Sequence, residues 1–215
     1  MLLYIRKEWY LLKKLLIMLL AMAVIFCSCA ESGEKKVSEK EEKGDTVIGI
    51  VLPMSDREMI YGIQLAVNEI NLSGGIGGSQ MLVTFLNYEN GQLHGIEGLK
   101  ALNAMLYINL SSAPVYDLLA DFNPVILSVG SKMKGETSFS FSGFDANGFE
   151  KIFKTKYSTK PNYTTAKAYE MIYMAKQLIE VSNSASPDDL TAALKSYGNF
   201  KGKFHSAVSA VYNPL

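Results

Sequence analysis

Apolar residues first gather into short runs joined by a helically spaced stretch, and their order predicts a strand, a helix and a second strand. Residues 47–52 (VIGIVL) are too few for a helix, are closed by Pro53, and read as a strand buried on both faces. Met54-Ser55-Asp56 follows as a loop in which Ser55 or Asp56 supplies an N-cap. Ile60, Ile63, Val67 and Ile70 then recur at helical spacing. The helix stops at Leu72-Ser73-Gly74-Gly75, where glycine takes the left-handed C-terminal position without steric cost. Residues 81–86 (MLVTFL) form the next strand, completing one βαβ unit of a parallel sheet.

The pattern continues less regularly. Leu93, Ile96, Leu99, Leu102 and Leu106 form a stripe that predicts a second helix over 93–106. Residues 107–110 predict a very short strand, and Ser111-Ser112-Ala113-Pro114 a helix start with serine caps and an early proline. That helix runs to about Phe122, before another buried strand at 125–129. Beyond Lys132, residues 138–143 alternate like a strand. A short helix is expected near 148–157, and a long one near 163–181 with Tyr169, Ile172, Tyr173, Lys176 and Ile179 on one face. Ser186 and Pro187 open a last helix whose apolar positions are Leu190, Ala193, Leu194 and Tyr197.

The N-terminal segment has a different character. Arg6, Lys7, Lys13 and Lys14 precede an apolar run at 15–26, which predicts a secretory signal and is too short to favour a spanning helix. The run ends in Phe26-Cys27-Ser28-Cys29, which resembles a bacterial lipobox and makes Cys29 the candidate lipidation site and first mature residue. A plain signal peptide and an uncleaved anchor are the alternatives. Loss of residues 1–28 would leave one cysteine, so no intramolecular disulfide is expected. Residues 30–45 mix acids and lysines with almost nothing apolar and read as a solvated tether. Over the whole chain 21 basic residues balance 21 acidic ones, so charge provides no reason to expect nucleic acid as a partner.

The segment GIQLAVNEINLSGGIGG resembles the start of the type I periplasmic binding proteins, the branched-chain amino acid (Leu/Ile/Val) binding family of ABC importers. In that family a helix ending in AxxEIN, a small residue and GGIxG lead into the second strand. The glycines alone lack both the Gly-Lys-Ser/Thr of a phosphate loop and a dinucleotide fingerprint. The later order also resembles the family: a serine pair opening a helix, a Leu-Ser strand end followed by small residues, a long Ala/Tyr-rich helix, a Pro-Asp-capped helix and a Phe-x-Gly turn at Phe200-Lys201-Gly202. Members are roughly twice as long. The resemblance therefore implies an internally deleted chain that joins the beginning of such a protein to its end. The fold class it implies is α/β, a Rossmann-like parallel-sheet lobe with a reduced, mostly helical second lobe. The expected organisation is a signal peptide at 1–28, a charged tether at 29–45, the first lobe at 46–132 and a remnant of the second at 133–215.

By the same resemblance the function is that of an extracytoplasmic solute-binding lipoprotein of the bacterial envelope. It would deliver branched-chain or related amino acids to an ABC permease in the membrane while held by a lipid anchor. A degenerate or repurposed envelope lipoprotein that keeps the fold core without ligand transport, and a ligand-sensing lipoprotein, are the alternatives. The family holds the ligand carboxylate with backbone N–H groups and hydroxyls where strands end and helices begin, a placement favoured by helix N-termini and by the carboxyl ends of parallel strands. The matching positions are Ser111, Ser112, Gly130 and Ser131, with Ser55 and Tyr61 as further candidates near the first loop. The serine pair also reads as a simple N-cap, Gly130 and Ser131 as an ordinary loop, and Tyr61 as helix surface. Glu136 and Asp145 are acids near the join without ligand spacing, so an acceptor for the ligand ammonium is lacking. An enzyme is not expected: there is no Gly-x-Ser-x-Gly elbow, and His94 and His205, far apart and without metal-ligand spacing, read as surface residues. No cofactor or metal is expected.

Overall fold

Strand β1 (Thr46–Leu52) is the strand from which the sheet grows in both directions. In this computed structural model, which describes residues 44–104, 106–130 and 132–214, the strand order is β3-β2-β1-β4-β5-β6-β7. The expected signal peptide, nearly all of the tether, Cys29 and Ser131 lie outside the described residues. β2 (Met81–Glu89), β1, β4 (Leu106–Asn109), β5 (Val125–Val129) and β6 (Glu136–Phe144) are parallel neighbours. β3 (Gln92–His94) and β7 (His205–Tyr212) pair antiparallel at the edges. The register Val47↔Leu82 gives the expected βαβ pairing.

The composition of β1 follows from its central position. Ile48, Ile50 and Leu52 point into one apolar layer and Val51 into the other, all fully buried, as a strand covered on both faces requires. Gly49 lies against the Tyr107 ring: a Cβ there would sit 2.4 Å from Tyr107 Cδ1. The first layer is closed by helices α1 (Arg57–Leu72), α4 (Ala146–Tyr157), α5 (Tyr163–Ser182) and α6 (Pro187–Ser196). Short pieces close the other. The helices α2 (Leu99–Leu102) and α3 (Tyr116–Leu119) and the turn before α3 set Leu99, Val115 and Leu119 against Val51, Tyr107 and Ile126.

The helix-end motif that carries the family resemblance has a structural use at each residue. Asp56, not Ser55, caps α1 by accepting the Met59 N–H at 3.1 Å. Near the other end, Glu69 accepts the hydroxyls of Tyr169 (2.5 Å) and Tyr173 (2.9 Å) on α5. Ile70 enters the core, and Asn71 clamps the start of β2 by accepting the Met81 N–H at 2.8 Å and donating to the Met81 carbonyl at 2.9 Å. Gly62 lets α1 and α5 approach, since a Cβ would come within 2.5 Å of the Thr165 carbonyl oxygen.

Several expected elements take another form. The helix over 93–106 is replaced by a hairpin and two short turns. Asn90 (φ 52°) and Gly91 (φ 78°) are both left-handed, as the tight turn between β2 and β3 demands. Left-handed Gly95 and Asn103 then confine the helical backbone to 96–102. The helix expected at the serine pair begins only at Tyr116, because Ser111 is bonded to Asn109 and Ser112 takes a left-handed backbone. β7, whose alternating small residues provide no strong apolar signal, fills an edge, and it buries His205.

All described residues fall in one compact unit. β6 and β7 extend the same sheet, and α5 lies across α1 and over β4 and β5. α5 buries Ala166, Tyr169, Ile172, Met174, Ala175 and Leu178, too many directions for a helix at a surface, so it is sandwiched rather than set in a lobe of its own. Only residues 130–135 connect the parallel neighbours β5 and β6, where such a crossover ordinarily takes about a dozen residues or more. This short return lies where the sequence departs from the family pattern. Among the described residues no helix is long and apolar enough to cross a membrane.

Candidate functional site

After β1 the chain passes to α1 on one face of the sheet, and after β4 to α3 on the other. The crevice between their carboxyl ends is therefore the topological switch point, where open α/β sheets bind ligands. A cavity of about 120 Å³, open to solvent, lies there, lined by Met59, Asn109, Leu110, Ser112, Val129, Thr164 and Lys167. Met59 comes from the first turn of α1, and Thr164 and Lys167 from the first turns of α5. Asn109, Leu110, Ser112 and Val129 come from the ends of β4 and β5 and the turn between.

Asn109 organises the β4 side. Its Oδ1 accepts the Ser111 N–H (3.0 Å) and hydroxyl (2.7 Å), and its Nδ2 donates to the Ala113 carbonyl at 2.7 Å. These bonds close an Asx-type turn that holds Ser112 at φ 60°. Nδ2 also donates to the Glu136 carboxylate at 3.1 and 3.2 Å, and the same carboxylate accepts the Val115 N–H at 3.1 Å. Glu136 is fully buried. Burial pushes its carboxyl above the usual range, opposed by hydrogen bonds from Val115, Asn109 and Ser128. Asn213 extends the polar row, donating to the Glu136 carbonyl at 2.9 Å and to Ser138 Oγ at 3.1 Å.

On the opposite wall, Asn162 caps α5. Its Oδ1 accepts the Thr165 N–H and hydroxyl, both at 2.8 Å, and the Thr164 hydroxyl at 2.6 Å. The Lys167 ammonium stands 4.4 Å from the Tyr163 ring centroid. Among the described residues no carboxylate comes within 4.0 Å of it.

The structure places the sequence-derived candidates unevenly. Ser112 lines the cavity, and Ser111 stands beside it with its hydroxyl already donated to Asn109. Gly130 (φ 73°) is next to the mouth, but its N–H donates to the Phe139 carbonyl at 2.8 Å. Ser131 lies outside the described residues. Ser55 sits in the exposed turn before α1, its carbonyl accepting the Arg57 N–H at 3.1 Å. Tyr61 stacks on Tyr157 of α4, ring centroids 4.7 Å apart. Neither Ser55 nor Tyr61 lines the cavity. Met59, Asn109, Thr164 and Lys167 were not apparent as site residues. A polar Asn closing an apolar strand is a readable signal for Asn109; Lys167 has none, because its position depends on how α5 docks.

Two wider concavities, about 500 and 390 Å³, lie at the other end of the sheet beside Gly44, Thr46, Ile179 and Ala185. They face the amino ends of the strands and the carboxyl end of α5, where exposed carbonyls make the field negative, a poorer setting for an anion. Among the described residues no group of three His, Cys, Asp or Glu is placed to hold a metal. His205 is not a surface residue: its side chain is buried, with Nδ1 3.3 Å from the Glu170 carboxylate. Glu170 in turn accepts the N–H groups of Lys203 (2.9 Å) and Phe204 (2.6 Å), pinning the turn that leads into β7.

No protein-family model and no curated protein matches the sequence. Solved structures do match. The substrate-binding protein LivJ of a branched-chain amino acid transporter from Streptococcus pneumoniae, in complex with isoleucine, aligns at TM-score 0.52 and 12% identity, over 76% of this chain and 91% of that one. A fatty acid ABC transporter substrate-binding protein from Thermomonospora curvata aligns at TM-score 0.49 and 8% identity, over 74% and 82%. An ABC transporter substrate-binding protein from Desulfitobacterium hafniense, in complex with Leu, aligns at 0.45 and 12%, over 76% and 92%. With its mostly parallel sheet, central β1 and flanking helices, the chain has the α/β fold of the type I periplasmic binding proteins.

Proposed function

We propose that the chain is a solute-binding protein of the cell envelope that holds a small carboxylate-bearing ligand, a branched-chain amino acid or a relative, for an ABC importer. The observation that carries this reading is the cavity at the switch point. Apolar Met59, Leu110 and Val129 face polar Ser112, Thr164 and Lys167 at the carboxyl ends of the strands. Such a mixture suits an alkyl group at one end and a carboxylate at the other. Ser111 and Gly130 act as supports of the turns that shape the mouth. Ser131 remains a candidate contact by its position after β5. Cys29 would carry the lipid anchor, and the diacylglyceryl group would make membrane attachment stable; mass spectrometry of the mature N-terminus should find it modified.

The cavity lies on one lobe and opens to water, so its polar contacts compete with solvent. Two charge-assisted bonds lost with an opposing lobe, at about 1.5–3 kcal/mol each, weaken binding by about two to four orders of magnitude. Calorimetry of the chain against a panel of amino acids and related acids should find dissociation constants of about 0.1–10 mM, corresponding to about −5.5 to −2.7 kcal/mol. Sub-micromolar binding would contradict the one-sided site, and no binding to any member would remove the solute-binding reading.

A further inference from the structure

We infer that the cleft selects small aliphatic carboxylates lacking an amino group over the corresponding amino acids; this rests on reading the cleft as the solute site. Among the described residues the lining carries a single charge sign: Lys167 is charged and no acid lines the cavity. Among the described residues Lys167 has no carboxylate partner within 4.0 Å, and the Tyr163 ring stands 4.4 Å from its ammonium at the edge of the cavity. An entering carboxylate therefore meets an ammonium not already neutralised, together with the Ser112 hydroxyl.

A ligand ammonium meets the opposite situation. The Asn109 carbonyl oxygen already accepts two bonds from Ser111. The acid on the neighbouring strand, Glu136, is fully buried and holds Asn109 and the Val115 N–H, and Glu58, beside Met59 on α1, already accepts the Asn162 amide at 2.5 Å. Among the described lining side chains only the neutral hydroxyl oxygens of Ser112 and Thr164 remain to accept from the charged group, and the Thr164 proton is already donated to Asn162 at 2.6 Å. In so small a cavity a second ammonium also repels Lys167. Met59, Leu110 and Val129 give the alkyl part of a short branched acid an apolar wall.

The test uses the full chain in detergent micelles, titrated by calorimetry and by ligand-observed NMR with 3-methylbutanoate, leucine and 3-methylbutylamine. The acid should bind about ten- to a hundredfold more tightly than leucine, the equivalent of one charge-assisted hydrogen bond, and the amine least of all. Lys167→Met should abolish the preference, whereas Lys167→Arg should keep it. Leucine binding as well as or better than 3-methylbutanoate in the unmodified chain overturns the inference and leaves the solute-binding reading standing. If none of the three binds, both fall.

Discussion

Glu136 permits a sharp test of the polar row beside the cleft. Its carboxylate is fully buried and accepts both the Val115 N–H and the Asn109 amide, so Glu136→Ala strands two buried donors at once. Each unsatisfied donor costs about 1–3 kcal/mol, for a total of about 2–6 kcal/mol. Against a typical domain stability of about 5–15 kcal/mol that is a large fraction. Glu136→Gln keeps an oxygen for Val115 and Asn109 and removes the burden of a buried charge, so it should cost less than about 1 kcal/mol. The two substitutions also separate by pH. Burial raises the folded-state pKa of Glu136 above its ordinary 4.5, so the folded state binds this proton more tightly than the unfolded one. Its contribution to stability is therefore fullest below pH 4.5 and is lost as pH rises through the raised value. Glu136→Gln has no such titration and should gain on the unmodified chain between acidic and neutral pH. Urea unfolding of the three proteins from pH 4 to 8 measures both effects. A Glu136→Ala cost below about 0.5 kcal/mol, or equal costs for alanine and glutamine, would refute the account.

Gly49→Ala should destabilise by about 1–3 kcal/mol, because the new methyl must displace the Tyr107 ring or the central strand. A smaller side chain at position 107 should restore part of the loss, and strictly additive effects would show that the ring is not what the methyl meets. A cycle of Glu69→Gln and Tyr169→Phe should show a coupling of about 1.5 kcal/mol, the low end for a bond to a half-buried charged acceptor. Additivity within about 0.5 kcal/mol in thermal or urea unfolding would remove this bond as the tie between α1 and α5.

The parts of the fold readable from the sequence are those that depend on neighbours a few residues away. β1, α1 and the start of β2 are legible because period and cap residues are local: Asp56 caps α1 and Ser186 caps α6 through their own side chains. The long helix α5 is legible for the same reason, beginning at Tyr163 behind its Asn162 cap. The stripe at 93–106 misleads because leucines at helical spacing carry no record of backbone handedness. Asn90, Gly91, Gly95 and Asn103 adopt left-handed backbone and break the stripe into a hairpin and short turns.

The sequence by itself determined the βαβ start, the strands at the cleft, the capped helices and the family resemblance, since each rests on short-range periodicity and steric preference. Tertiary structure alone decided that β6 and β7 extend the sheet begun by β1, because that depends on which apolar faces meet. It also decided that Ser111 supports Asn109 rather than facing the cavity, and that Lys167 reaches a site built on strands more than 35 residues away. Cavities and buried polar pairs of this kind form only when distant segments dock. Their chemistry belongs to the packing, and no local pattern in the chain encodes it.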